Sequence, residues 1–264
     1  MHPKTDIICL VHNQLDTTKK FVQHLFDNTE NFNLIFVNNG SDKSTTQWLN
    51  DGETEGRWHV INAIENGKLV NLGIIKGRNL GAKYITADYF LNIDNDQFVQ
   101  KRWLEQLHLK MSEGYDIVGC EAWKMFPPNK LFPNDSGGVI MMGNTAIKDK
   151  SYYPHKRCTN KHDKFTYIGC GGMLIKREVY EKIGLFDERF SVFYFEDPDF
   201  AFRSMQAGFK LGWCPECDIV HLAHQTIGNQ KMFDKQKQFL QSWNRFKEKW
   251  NGWFPDTDTD RRKK

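Results

Sequence analysis

Short apolar runs alternating with helix-periodic segments constrain this chain more than any other property. Asp6–Val11 (Asp-Ile-Ile-Cys-Leu-Val) predicts a buried strand, and Leu15–Phe26 predicts a helix with Leu15, Thr18, Val22, Leu25 and Phe26 at helical spacing. Phe32–Val37 continues as a second strand, Ser44–Asn50 as a short helix and Trp58–Ala63 as a third strand. A helix over Lys76–Thr86 then leads into the apolar run Tyr89, Phe90, Leu91 and Ile93. Strands alternating with helices imply an α/β architecture, a mostly parallel sheet flanked by helices on both faces.

Residues 121–165 break this rhythm. Four of the eight prolines fall there with little periodicity, as expected of a loop elaboration over one sheet edge. Order returns with Tyr167–Lys176, a Gly-rich strand, then a helix over Arg177–Ile183 and another over Pro198–Ala207 with Pro in its first turn. From Lys231 to Trp253, the residues Met232, Gln236, Phe239, Trp243, Phe246, Trp250 and Trp253 alternate steps of four and three, the spacing of one helix face. This aromatic stripe is expected to dock on the body of the protein, while the basic opposite face leaves 231–254 open to peripheral membrane contact. The chain divides on this basis into a domain over 1–228 and a C-terminal amphipathic helical appendage over 229–264.

Composition narrows the function classes. With 264 residues, 39% hydrophobic content and 20 Phe, the chain has material for one large core. Residues 231–264 hold ten Lys/Arg against five Asp/Glu, so the net charge of +3 belongs to the tail and gives no reason to expect a nucleic-acid partner. No run approaches the roughly 18 apolar residues of a membrane span. The N-terminus lacks the apolar stretch of a signal peptide, so a cytoplasmic protein is expected, peripheral at the inner membrane face at most. The six cysteines (9, 120, 158, 170, 214 and 217) are scattered, which suggests reduced thiols.

Chemistry concentrates in a few places. The strand ending at Ile93 runs into Asp94-Asn95-Asp96, two carboxylates one residue apart that can converge at a strand end and need a cation between them. Hard divalent ions such as Mg²⁺ or Mn²⁺ take such oxygen ligands and complete their shell with substrate phosphates. A second acidic cluster, Glu196-Asp197-Pro198-Asp199, follows Phe193-Tyr194-Phe195; partial desolvation there suits a general base, although Asp197 could simply cap the helix. Cys214-Pro-Glu-Cys217 with His221 and His224 has intervals too short for a zinc finger, so buried thiols are the better expectation. In open α/β sheets ligands bind outside the carboxyl ends of the strands. Val11-His12-Asn13, Asn38-Asn39-Gly40-Ser41, Asn71-Leu72-Gly73 and Asp94-Asn95-Asp96 all fall on that rim, which favours a nucleotide site.

The ordered blocks Ile-Ile-Cys-Leu-Val-His-Asn, Phe-Val-Asn-Asn-Gly-Ser, Arg-Asn-Leu-Gly, Leu-Asn-Ile-Asp-Asn-Asp, Gly-Gly-Met-Leu-Ile-Lys-Arg, Ile-Gly-Leu-Phe-Asp-Glu, Tyr-Phe-Glu-Asp-Pro-Asp and Pro-Glu-Cys-Asp-Ile-Val-His resemble the inverting family 2 glycosyltransferases over about residues 5–228. The resemblance is strongest to the bacterial branch that glycosylates cell-surface polymers. It implies a GT-A (Rossmann-like) fold and a nucleotide-diphospho-sugar donor, with a glycan or lipid-linked glycan as acceptor and residues 121–165 on the acceptor side. By the same resemblance Asp94 and Asp96 are the metal-binding pair, Asp96 the direct ligand, with His221 completing the site. Val11, His12, Asn13, Asn38, Arg78, Asn79, Asp94 and Asn95 line the donor, and Asp197 is the catalytic base with Glu196 its nearest competitor. Asn38 stands where many members carry an Asp that binds the base, which loosens the expectation of a UDP-sugar. Two rivals remain: a non-catalytic nucleotide-sugar-binding module, and a nucleotidyltransferase, against which the missing Gly-rich basic loop after the first strand counts.

Overall fold

The structure, a computed structural model, describes residues 2–126, 130–133, 138–141, 155–157, 167–169, 171–190, 193–222 and 232–250. In chain order the first half runs β1 (Thr5–Val11), α1 (Leu15–Asn28), β2 (Phe32–Asn38), α2 (Lys43–Thr54), β3 (His59–Asn62), β4 (Ile64–Glu65), β5 (Lys68–Leu69), α3 (Gly73–Ala82), β6 (Tyr89–Asp94), β7 (Gln97–Val99) and α4 (Trp103–Met111). The second half runs β8 (Ile117–Phe126), β9 (Lys130–Pro133), β10 (Gly138–Met141), β11 (His155–Arg157), β12 (Tyr167–Ile168), β13 (Met173–Lys176), α5 (Arg177–Ile183), α6 (Glu196–Gln206), β14 (Leu211–Leu222) and α7 (Met232–Lys249).

The main sheet has the order β3-β2-β1-β6-β13-β8-β14-β7, with β9 paired to β8. Parallel pairing joins β3, β2, β1 and β6, and β8 with β14; β13 and β7 run against their neighbours. The sheet is therefore mostly parallel, as the alternation of elements predicts. Side chains alternate across it. Ile7, Cys9, Leu91 and Ile93 face a layer with Phe21 and Leu25 of α1 and Leu104 and Leu107 of α4. Ile8 and Phe90 face the other layer, with Ile75 of α3, Val179 of α5 and Phe200 and Phe202 of α6. That period-two division is what a sheet covered on both faces requires.

Four local expectations need correction. Helix α3 begins at Gly73 and ends at Ala82, earlier at both ends than Lys76–Thr86; the Asn71 side chain accepts a hydrogen bond from Gly73 N at 2.8 Å and opens the helix sooner. The stretch 121–165 is not only loop: β8 runs into it, and β10 and β11 form with β12 a separate three-stranded sheet. Tyr167–Lys176 is two strands, not one. It divides before Met173, where Gly172 has φ +80, a backbone that side chains rarely adopt, and β12 and β13 enter different sheets. Helix α6 starts at Glu196, so Asp197 lies inside the first turn rather than at the N-cap, which is Phe195 in a left-handed conformation.

Helix α7 carries the expected aromatic face. Phe239, Trp243, Phe246 and Trp250 are buried in the same cluster as α6 and the sheet, while Lys237, Arg245 and Lys247 are exposed. Trp253 and the rest of 251–264 lie outside the described residues, as do the side chain of Met232 and all of His224. Among the described residues no helix is long and apolar enough to cross a membrane.

Candidate active site

The rim at the carboxyl ends of β1, β2 and β6 is built from turns that hold one another. His12 donates from Nδ1 to Asn39 O at 2.9 Å. Asn13 N donates to Ser41 Oγ at 3.1 Å, and Asn13 Oδ1 accepts from Asp42 N at 2.6 Å. Buried Asn39 donates to Asn71 Oδ1 at 2.9 Å and accepts from Leu72 N at 2.8 Å, joining a third rim segment. The segments press so closely that a Cβ on Gly40 would stand 2.6 Å from Asn71 N. Asn13 and Gln14 both have positive φ, 59° and 60°, so the β1–α1 turn holds strained backbone at the rim.

Not every predicted donor-binding side chain faces that rim freely. Asn38 is fully buried; it donates to Thr46 Oγ1 (3.1 Å) and Asn62 Oδ1 (2.9 Å) and accepts from Ser41 N (3.2 Å). Asn79 donates to Phe186 O at 2.8 Å and accepts from Phe186 N at 3.0 Å, bracing the segment before α6. Asn95 donates to Thr18 Oγ1 of α1 at 2.8 Å. In this structure these three amides are engaged in holding the scaffold. Val11 is buried at the end of β1.

The acidic turn joins β6 to β7. Asp94 N donates to Gln97 Oε1 at 2.8 Å, closing the turn, and a Cβ on Gly171 would meet Gln97 Nε2 at 2.2 Å, so Gly171 leaves the space Gln97 fills. Because His221 of β14 pairs with Gln97 of β7, and Leu222 N donates to Asp96 O at 2.8 Å, the turn delivers Asp96 beside the imidazole. His221 Nε2 lies 3.2 Å from Asp96 Oδ1. Asp94, Asp96 and His221 each offer a ligand atom, all within 4.8 Å of one another, the one such group of three among the described residues. Two carboxylates and an imidazole fit a divalent cation, with the carboxylates favouring a hard ion. The Cys214 and Cys217 thiols are instead free and buried in the bulge where β14 slips against β8. Burial, with Glu216 next, pushes the Cys214 thiol up to about 12, as for a structural cysteine.

Arg78, almost fully buried, donates from Nη2 to Asp94 Oδ1 at 2.6 Å. Burial works to raise the Asp94 carboxyl, but the charge of Arg78, then that of His221, outweighs it and holds Asp94 below the usual value. The second acidic pair stands within electrostatic reach. Burial, then the charge of Asp197, drives Glu196 up to about 8; Arg78 opposes this and Asp94 adds to it. Glu196 is buried with Oε2 lacking a hydrogen-bond partner, whereas Asp197 is half-buried. Both stand in the first turn of α6, whose N-terminal dipole favours negative charge. The turn that places them has left-handed Tyr194 (φ 78) and Phe195 (φ 68), each costing roughly 1 kcal/mol or more for a non-glycine residue.

Sequence reasoning did not single out Gln97, Arg78 as the Asp94 partner, or Asp199. Gln97 follows directly on the acidic turn and was the one signal available for it. The fully buried Asp199 gives no sign in the sequence of the three donors that converge on it, Arg203, Lys249 and Trp250.

Comparisons with known proteins bear on the fold and the family. The chain is 23% identical over 257 residues to the uncharacterized protein y4gI of Sinorhizobium fredii, covering 94% of this chain and 28% of that protein. It is 23% identical over 220 residues to the low-salt glycan biosynthesis hexosyltransferase Agl10 of Haloferax volcanii, covering 81% of this chain and 66% of that one. The chain thus spans less than two thirds of the length of either relative. A crystal structure of GalNAc-T7 with UDP, GalNAc and Mn²⁺ superposes with a TM-score of 0.73 at 15% identity, over 95% of this chain and 49% of the other, which establishes the GT-A fold. The model of the family described as Glycosyl transferase family 2 matches residues 6–184, about two thirds of the sequence. A match over that share of the sequence shows that the chain belongs to glycosyl transferase family 2.

Proposed function

We propose that this chain transfers a sugar from a nucleotide-diphospho-sugar, UDP-linked, to a hydroxyl of a glycan or lipid-linked glycan acceptor, with inversion by a single displacement. The observation that carries this is the convergence of Asp94, Asp96 and His221 at the carboxyl ends of the strands, with a second carboxylate pair beside them. The hexosyltransferase name of Agl10, and the UDP and Mn²⁺ bound in the GalNAc-T7 crystal, point the same way.

Each residue then has a role set by its surroundings. Asp94, Asp96 and His221 would hold a divalent cation, Mn²⁺ or Mg²⁺, the imidazole tilting the choice toward Mn²⁺. Such a cation, when bound, offsets the charge that accumulates on the diphosphate leaving group without proton transfer. Arg78 fixes the orientation of Asp94 and adds a positive charge beneath the diphosphate. His12 and Asn13 hold the rim turns against which the nucleotide lies. Inversion needs no nucleophilic side chain, only a carboxylate that accepts the acceptor hydroxyl's proton. Asp197 takes that role: it is the more exposed of the pair, while Glu196 keeps its own proton at neutral pH and serves as a hydrogen-bond donor in the acceptor pocket.

The test is release of UDP from a panel of UDP-sugars by the full chain with Mn²⁺ present. Slow hydrolysis of one or a few donors, abolished by EDTA, is expected, because a transferase leaks sugar to water. A binding module releases no UDP from any donor. A nucleotidyltransferase would instead release pyrophosphate from a nucleoside triphosphate and a sugar phosphate.

A further inference from the structure

Helix α7 meets the turn before α6 through contacts that converge on a few atoms. Ser242, fully buried, has its Oγ 3.2 Å from Phe190 O and 3.3 Å from Phe193 O. Trp250 Nε1 donates to Asp199 Oδ1 at 2.9 Å, and Lys249 Nζ reaches the same oxygen at 2.6 Å. The Phe195 ring packs on Phe239, Trp243 and Phe246 at centroid distances of 5.1, 5.3 and 5.5 Å.

These anchors bracket left-handed Tyr194 and Phe195 on both sides, and Glu196 and Asp197 follow at once. Side chains hold that backbone only when the surroundings over-determine it. Here the carbonyls before the turn, the ring within it and the carboxylate after it are all gripped from α7. Upstream, Ile183, Leu185 and Phe186 are held by Asn79 of α3 and Arg203 of α6, while Asp187 is paired with Lys249 of α7 at 2.7 Å. The turn, α6 and α7 all lie beyond the stretch 6–184 that the family model matches.

We propose that α7 is a positioning element: it locks the Tyr194–Phe195 turn in its left-handed form and so aims the Glu196–Asp197 pair at the Asp94 rim. Ser242 within the helix and Trp250 directly after its last residue are the positioning residues. The catalytic consequence rests on the glycosyl-transfer function proposed above; the conformational one does not.

Deleting α7 would expose a large apolar face and would not separate positioning from folding. The test therefore uses the full chain with Ser242→Ala and Trp250→Phe, each removing one donor and little volume. Their kcat for UDP-sugar turnover should fall about 10- to 100-fold, the cost of misplacing a reacting group. Donor KM and Mn²⁺-dependent UDP affinity should stay within about twofold, because the lost interaction acts on the transition state. Amide hydrogen exchange over 193–199 should accelerate several-fold, with β1 and β6 unchanged. Unchanged exchange over 193–199 overturns the proposal, and so does acceleration spread evenly over the molecule. Locally faster exchange with wild-type kcat overturns the link to the reaction. If the wild-type chain turns over no donor at all, the transfer function fails, and hydrogen exchange alone still decides whether α7 locks the turn.

Discussion

Asp94 and Asp96 stand one residue apart, yet the turn between them gives them different surroundings. Asp94 closes β6 and is held by Arg78, whereas Asp96 lies past the strand against His221. Asp96→Ala should therefore abolish Mn²⁺-dependent UDP affinity with little loss of stability, since a strand-end carboxylate contributes little to the core; unchanged affinity by calorimetry in Mn²⁺ would remove the metal role. The Glu196–Asp197 pair can be separated by pH. A Glu196 that titrates at about 8 and served as base would make the rate climb through neutrality toward that pH, and Glu196→Gln would remove the limb. With Asp197 as base that alkaline climb is absent and Glu196→Gln remains active. Asp197→Asn, which keeps the shape but cannot take a proton, should lower transfer about 10²–10⁴-fold while donor binding persists. A dead Glu196→Gln beside a near-normal Asp197→Asn would exchange the two roles.

Among the elements, those with a continuous apolar run or a single helical face are visible in the sequence: β1, α1, β2 and β6 lie within a residue or two of expectation, and so does the aromatic face of α7. What was hidden depends on backbone conformation or on distant partners. Nothing in Tyr167–Lys176 except its glycines marks the turn that sends β12 and β13 into different sheets. Pro198 suggested a helix start, but left-handed Tyr194 and Phe195 open α6 two residues earlier, which moves Asp197 from a cap to the first turn. Asn38 and Asn79 are rim residues by position, and only the fold reveals that their amides are saturated by neighbours. Trp243, 1% exposed, tests the docking of α7. Trp243→Ala should cost about 3–5 kcal/mol, a fall in melting temperature on the order of 10 °C. An unchanged melting temperature with lost vesicle binding would place that face on a membrane instead. The same helix reports on acid. Partial burial opposes the charge of Asp187, but Arg189 and Lys249 outweigh it and lower its carboxyl below the ordinary 3.8. A lowered carboxyl stabilises the fold above its unfolded value and loses that contribution as pH falls. Asp187→Asn should therefore be less stable near neutrality and flatter in melting temperature below about pH 4; a slope identical to wild type would show that the Asp187 pairing does not stabilise the fold.

At the scale of the whole molecule, the site is assembled from both halves of the chain. The stretch matched by the family carries the rim and the acidic turn, while His221 arrives on β14 and the Glu196–Asp197 pair on α6. The last strand, β14, enters the sheet between β8 and β7, and its pairing with β7 brings the imidazole to Asp96. A ligand that binds there stabilises the native state by RT ln(1 + [L]/Kd), about 2.7 kcal/mol at a hundredfold excess over Kd. For a domain of this size that is a rise in melting temperature of about 5–10 °C. UDP and Mn²⁺ together should give this shift, and each alone should give much less, because Asp94, Asp96 and His221 hold the cation that in turn holds the diphosphate. His221→Ala should reduce the joint shift while the free protein still melts in one cooperative transition. A full shift from UDP in the presence of EDTA would mean that the nucleotide is held by the rim alone, and the convergence of the three side chains would then need another explanation.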